Sequence, residues 1–234
     1  VTYSLEWLKK PELGYRRVFY FTGPNHVLTT IRNRRVKLSA FDKCNDVFEL
    51  ASFSLDERAS RDAHRNWMQS VKDKVGLLCL SEDWKNPLMW AHYADRGQGV
   101  CLVIDVSMKI STPVKYLAVR KVYNDRDFPK PNSPNFSEFC SIKSTKWKYE
   151  REIRVISKFM DSDVVKDGNM RFLNFSERLK LVGVINGPRP VLCCEEILAA
   201  GIDRSRFFQS RPAFRKFNIV SQQNTKLWKW CDKT

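Results

Sequence analysis

An α+β fold, built on a mostly antiparallel or split sheet with short packed helices, is the class this sequence predicts. Strand-like segments rich in aromatic and β-branched residues outnumber helical ones along the 234 residues. Strand and helix never alternate for long, which argues against a parallel βαβ sheet. The chain is 43% hydrophobic with aromatics spread end to end, enough to bury a core within a single domain, 1–234.

The elements follow in order. An amphipathic lead ends at Pro11 and Gly14, and RRVFYFT (16–22) reads as a strand stopped by Gly23-Pro24. NHVLTTIRNRR (25–35) places Val27, Leu28 and Ile31 at helical spacing behind Asn25. VKLSAF (36–41) alternates as a strand, and DKCNDVFE (42–49) is a polar turn. From Leu55 to Lys74 apolar residues recur every fourth position, at Leu55, Ala59, Ala63, Trp67 and Val71, which predicts an amphipathic helix. KVGLLCLS (74–81) and GVCLVID (99–105) are continuously apolar, as buried strands are. NPLMWAHYADRG (86–97) opens on Asn-Pro and closes on glycine, as a short helix does. VKYLAVRKVYN (114–124) is strand-like, 124–135 is a proline-rich loop, and 135–144 reads as a helix. YEREIRVISKF alternates as a strand, 161–169 is a turn, and RFLNF and LKLVGVING are further strands. CEEILAAG (194–201) is a short helix closed by Gly201, and FRKFNIV (214–220) is a last strand.

Lysine and arginine total 41 against 26 acidic residues, a net charge of +15. The positive field points first to nucleic acid, DNA or RNA, ahead of acidic proteins or anionic membranes. Seven cysteines, an odd count without a CxxC pair, indicate free thiols in a reducing compartment rather than a disulfide scaffold. Three scattered histidines give no metal-ligand spacing, so no metal is expected. No apolar run reaches ~18 residues, and the first residues lack a signal-peptide pattern. A cytoplasmic protein with no membrane partner is expected. Phosphate-loop, dinucleotide-fingerprint, GxSxG and HExxH motifs are all missing.

The stretch KSTKWKYEREIRVISKF (143–159) carries the most chemistry. In a strand, Glu150 and Glu152 share a face. One reading is a salt-bridged strand with Arg151 and Arg154 as partners. The other is a carboxylate placed to stabilise developing positive charge. Lys143, Lys146 and Lys148 run up to the glutamates as phosphate contacts would, and Trp147 and Tyr149 are either base-stacking surfaces or core. His92 and Tyr93, on the short helix with Trp90, are either partly buried or form a cleft wall. Asn45, Asp46 and Glu49 form a polar turn that either contacts substrate or is an Asx turn.

Three stretches together, VFYFTGPNHVLTTIRNRRVKLSAFDKCNDVFE, LMWAHYADRGQGVCLVID and KWKYEREIRVI, resemble the bacterial family catalogued as domain of unknown function 2971. The resemblance runs over roughly 16–220, leaving 1–15 as the lead and 221–234 as a basic, tryptophan-containing tail. FYFT, NHVLTTIRN and VKLS are also similar to the opening of DNA-modifying ADP-ribosyltransferase toxins and RNA 2'-phosphotransferases. That likeness implies an ADP-ribosyltransferase-like split sheet with NAD as co-substrate in its cleft. It implies transfer of ADP-ribose to nucleic acid by a toxin or antiviral effector, whose partner is a neutralising antitoxin or another defence-system protein. Tyr20 then falls on the NAD-contacting histidine and Thr22 on its threonine, while Glu150 or Glu152 is the catalytic glutamate. Arg154 is either a pyrophosphate clamp or the residue that orients Glu152. Tyrosine offers a stacking surface but not an imidazole. The alternatives are a non-enzymatic nucleic-acid binder or sensor on the same scaffold, and a nuclease or other hydrolase of a defence system.

Overall fold

The computed structural model describes residues 5–122 and 128–231. Residues 1–4 of the lead, 232–234 of the tail, the predicted strand end at 123–124 and the loop start at 124–127 lie outside the described residues. The chain begins with β1 (Tyr15–Thr22), α1 (Pro24–Arg32), β2 (Arg35–Leu38), β3 (Phe53–Ser54), α2 (Arg58–Lys72), β4 (Val75–Ser81) and α3 (Pro87–Tyr93). It continues through β5 (Val100–Ser107), β6 (Ser111–Pro113), β7 (Lys115–Leu117), β8 (Lys121–Val122), α4 (Phe136–Phe139), β9 (Ile142–Ser144) and β10 (Glu152–Lys158). Last come β11 (Val164–Asp167), β12 (Met170–Asn174), β13 (Leu179–Asn186), α5 (Cys194–Ala199), β14 (Phe207–Pro212) and β15 (Ile219–Ser221). The α+β expectation holds: a large, mixed, mostly antiparallel sheet is accompanied by short helices.

The chain divides into two compact units. The first comprises the described residues of Val1–Arg35, Leu80–Lys109 and Phe175–Thr234. Its strands run β15-β14-β13-β5-β1, with the end of β4 paired to β1 through Phe19 and Ser81. Only β13 and β14 are parallel in this run. Val100–Val106 of β5 is buried throughout, which explains the unbroken apolar run Val100–Ile104: both sheet faces are covered, and the buried Asp105 is paired with Arg17. In α3, Asn86 caps the first turn by accepting from the Leu88 amide at 2.9 Å, and Trp90 meets Phe21 edge-on at 5.1 Å. The loop after α3 crosses the end of β1 so closely that a Cβ on Gly99 would sit 2.1 Å from the Thr22 carbonyl oxygen. The 187–189 turn is laced to it, since the Gly187 amide donates to Gly99 and the Arg189 amide to Gly97, both at 3.0 Å.

The second unit comprises Val36–Cys79 and the described residues of Ile110–Asn174. Here β4, β10 and β6 are neighbours, β11-β12-β2 form a three-stranded sheet, and β3 with β8 and β7 with β9 form parallel pairs. The core pattern predicted for α2 holds at Trp67 and Val71, both buried. Trp67 stacks on Phe128 at 5.3 Å and donates its indole N–H to the Pro129 carbonyl at 2.8 Å.

Several elements differ from the sequence expectation. The helix predicted over 135–144 stops at Phe139, because the Ser141 carbonyl accepts from Lys115 and the chain continues as β9 beside β7. Residues Thr145–Glu150 form a 3-10 turn capped by Ser144, so Tyr149 and Glu150 leave the predicted strand, and Arg151 adopts a left-handed conformation (φ 45°) before β10 begins. The turn expected at 161–169 contains β11, paired with β12. The last predicted strand shrinks to 219–221, while β14, unpredicted, precedes it across a hairpin loop. The expectation of free thiols fails at Cys193 and Cys231, which are disulfide-bonded across 38 residues with Cα atoms 5.2 Å apart. Spacing in sequence gives no sign of this pairing, because β14 and the turns after β15 bring the tail back to the start of α5.

Candidate functional site

The glutamates flagged in the sequence lie in the second unit, within a buried ionic cluster. Glu152 opens β10, and Arg154, two residues on, projects from the same face. The Arg154 Nε donates to Glu152 at 2.8 Å, and its Nη1 and Nη2 reach the two Glu49 oxygens at 2.6 and 2.9 Å. A further bond from Nη1 goes to the Cys140 carbonyl. Lys143, on β9, donates to Glu150 at 2.6 Å and to Glu152 at 3.1 Å. Glu150 is at the end of the 3-10 turn, not on the strand, yet converges on the same lysine. All five side chains are at most 5% exposed. Three carboxylates thus meet two cations, leaving one negative charge in excess among the described residues of the cluster.

Local sequence explains how Glu49 arrives there. Asp46 accepts the Phe48 amide at 2.9 Å, an Asx turn, and its carbonyl accepts the Glu49 amide at 3.0 Å. The turn predicted at 45–49 therefore aims Glu49 inward, with Asp46 buried and Asn45 exposed. The Glu152 amide donates to the Tyr116 hydroxyl at 2.8 Å. Trp147 covers Lys143, whose Nζ lies 4.7 Å from the ring centre, and Tyr149 sits 6.1 Å from Trp147. Lys146 and Lys148 remain exposed on the turn, as does Arg151.

Charge sets the titration behaviour. Burial pushes the Glu152 carboxyl up, but Arg154 and Lys143 outweigh it and hold it down at about 2. Burial alone would lower Lys143, whereas Glu152 and Glu150 raise it well above its ordinary value. Burial lifts the Tyr116 hydroxyl to about 12. Cys79 meets solvent in part, but a hydrogen bond with Cys44, dense surroundings and the Glu152 charge push its thiol well above the ordinary range. It stays protonated at neutral pH, so it is not a poised thiolate nucleophile. Cys79 and Tyr116 have no predicted role in the sequence, and Glu49 is expected only within the polar turn, because nothing short-range marks a partner 36 or 105 residues away.

The remaining predicted residues belong to the first unit. Tyr20 and Thr22 are half-buried on β1, registered against Leu102 and Val100 of β5. His92 and Tyr93 close α3 with their rings 6.2 Å apart, the histidine exposed. For a metal, the described residues bring together Cys193, Glu195 and Cys231, but the two sulfurs are bonded to each other.

The second unit also opens a cleft of about 460 Å³. Lys37, Lys43, Lys72, Lys166 and Arg171 line it against a single carboxylate, Asp73. The cations fall on β2, α2, β11 and β12 and in the turn after β2, so only the fold assembles them.

Residues 89–155 match the family described as "Protein of unknown function (DUF2971)". That span holds His92, Tyr93, Lys143, Glu150, Glu152 and Arg154, but not Tyr20, Thr22 or the 45–49 turn. The resemblance expected over 16–220 is thus found over its middle portion. No curated protein and no solved structure matches the chain. Among the described residues, no helix is long and apolar enough to cross a membrane.

Proposed function

We propose that this protein is a nucleic-acid-binding module whose glutamate cluster is a structural ion-pair network. Segregation of charge carries the reading: the carboxylates of the sequence motif are buried and paired, whereas five cations, Lys72 among them paired with Asp42 at 3.0 Å, line an open cleft. A net charge of +15 supplies the long-range attraction that phosphate backbones answer. A second reading is ADP-ribosyl transfer from NAD to nucleic acid on an ADP-ribosyltransferase-like scaffold, by a toxin or defence effector with a neutralising partner. In its favour, Glu152 is held anionic at neutral pH, as stabilisation of an oxocarbenium-like centre requires. Against it, the Arg154 nitrogens are spent on Glu49, Glu152 and Cys140, so a dinucleotide there requires the cluster to open.

Titration of labelled single- and double-stranded oligonucleotides against salt tests the first reading. The expected result is binding whose log affinity falls steeply with log salt, by roughly 0.7–0.9 for each phosphate contact. Flat or absent binding at all salt concentrations removes nucleic acid. Labelled NAD added to the same mixtures separates the two readings. Unlabelled nucleic acid and protein leave a binder, whereas label on either one restores the enzyme.

A further inference from the structure

A second groove, of about 820 Å³, lies wholly within the first unit. One face of α3 and three loops build it: the turn after α3, the 187–191 turn and the β14–β15 hairpin loop, residues 213–218. The walls are fixed by backbone bonds. Besides the bonds from Gly187 and Arg189, the Ala213 amide donates to Asn218 at 2.8 Å and the Ile219 amide to Lys85 at 2.8 Å. Arg96, Arg189, Arg215 and Lys216 line the groove, all exposed, and no carboxylate is among its lining residues. None of the four forms an ion pair among the described residues. On the hairpin loop, Phe214 is 89% exposed and Phe217 is 100% exposed. Arg211 covers one face of Phe214 at 4.1 Å.

Two phenyl rings displayed on one short loop, one of them with a face against Arg211 and the other fully exposed, are a cost in water that folding does not explain. Flanked by four unpaired cations, they match a ligand that alternates flat apolar surfaces with anions. We propose that this groove binds single-stranded nucleic acid, with Phe214 and Phe217 stacking on unpaired bases and Arg96, Arg189, Arg215 and Lys216 holding the phosphates. A duplex hides its base faces and an acidic peptide has none, so neither uses the rings. The groove is open on one side and carries two rings in succession, which suits a continuing strand better than an enclosed nucleotide. This inference rests on the nucleic-acid reading and adds to it the strandedness of the ligand and its place.

A labelled homothymidine oligonucleotide of about 12 nucleotides serves as probe, long enough for a site of this kind. Both phenylalanines are exposed, so Phe214→Ala and Phe217→Ala leave the core intact. Each is expected to weaken binding by about 5- to 150-fold, one lost stack, with the salt slope unchanged. Arg189→Ala and Lys216→Ala are expected to make the slope shallower by roughly 0.7 each. Wild-type protein that binds the probe as tightly as the Phe214→Ala/Phe217→Ala variant overturns the groove assignment and leaves the nucleic-acid reading standing. Wild-type protein that binds no oligonucleotide overturns both. Displacement of the probe by free mononucleotide or polyglutamate, as effectively as by unlabelled strand, assigns the groove to those ligands instead.

Discussion

Arg154→Met is expected to destabilise the protein by about 3–5 kcal/mol, the loss seen when one partner of a buried ion pair is removed. Its guanidinium is buried and is the bidentate partner of Glu49 as well as a donor to Glu152. Without it, two carboxylates keep their burial and lose their main counter-charge, and among the described residues of the cluster Lys143 stays bonded to Glu150 and Glu152 only. Methionine fills much of the volume, so the loss is electrostatic rather than a cavity. The triple variant Arg154→Met/Glu49→Gln/Glu152→Gln is expected to regain most of the loss, because the stranded charges go with the arginine. Urea denaturation of the three proteins measures both effects. A single variant within ~1 kcal/mol of wild type, on the scale of an exposed pair, would show that water already screens the cluster.

Acid should unfold the protein through the same cluster. Glu152 titrates at about 2 in the folded protein, against 4.5 for an unperturbed carboxyl. A depressed pKa contributes stability that is fully present above the unfolded value and is lost as pH falls through the folded one. The window is therefore about pH 4.5 down to 2, and the contribution is roughly 3 kcal/mol. Lys143 is shifted the other way, so its contribution holds below its unfolded value and is lost only in strong alkali. Denaturation midpoints between pH 6 and 2 should fall steeply for wild type. For Glu152→Gln they should start lower and fall less. Parallel pH profiles for the two proteins would remove Glu152 as the titrating group.

Periodicity made most of the fold legible. Continuous apolar runs marked β4 and β5, Asn-Pro marked the start of α3, and four-residue spacing marked α2, each a signal contained within one element. Failures fell where a distant partner decides. Phe139–Ser144 ends as a strand because β7 is beside it, and Glu150 leaves the predicted strand because Ser144 caps a 3-10 turn. For the site, the sequence offered Glu152, Arg154 and Glu150 as either paired or reactive, and pairing is what the burial and distances describe. Glu49 was read as part of a polar turn, and its bond to Arg154 spans 105 residues. FRKF at 214–217 was absorbed into a predicted strand, because alternating aromatic and basic residues look alike in a strand and on a loop that displays them to solvent.

The ionic cluster also sets an order of assembly. Lys143, Glu150, Glu152 and Arg154 come from one twelve-residue span and balance one another, two positive against two negative. That span can condense early, since closing so short a loop costs little entropy. Glu49 must arrive from far along the chain to meet Arg154, and with it the described cluster holds three carboxylates against two cations. Its turn is the piece whose release leaves two cations facing two carboxylates, so residues 46–50 are expected to open at lower cost than β10. Hydrogen exchange is expected to show it: the amides of 46–50 should exchange through local opening, and those of β10 only as the unit unfolds.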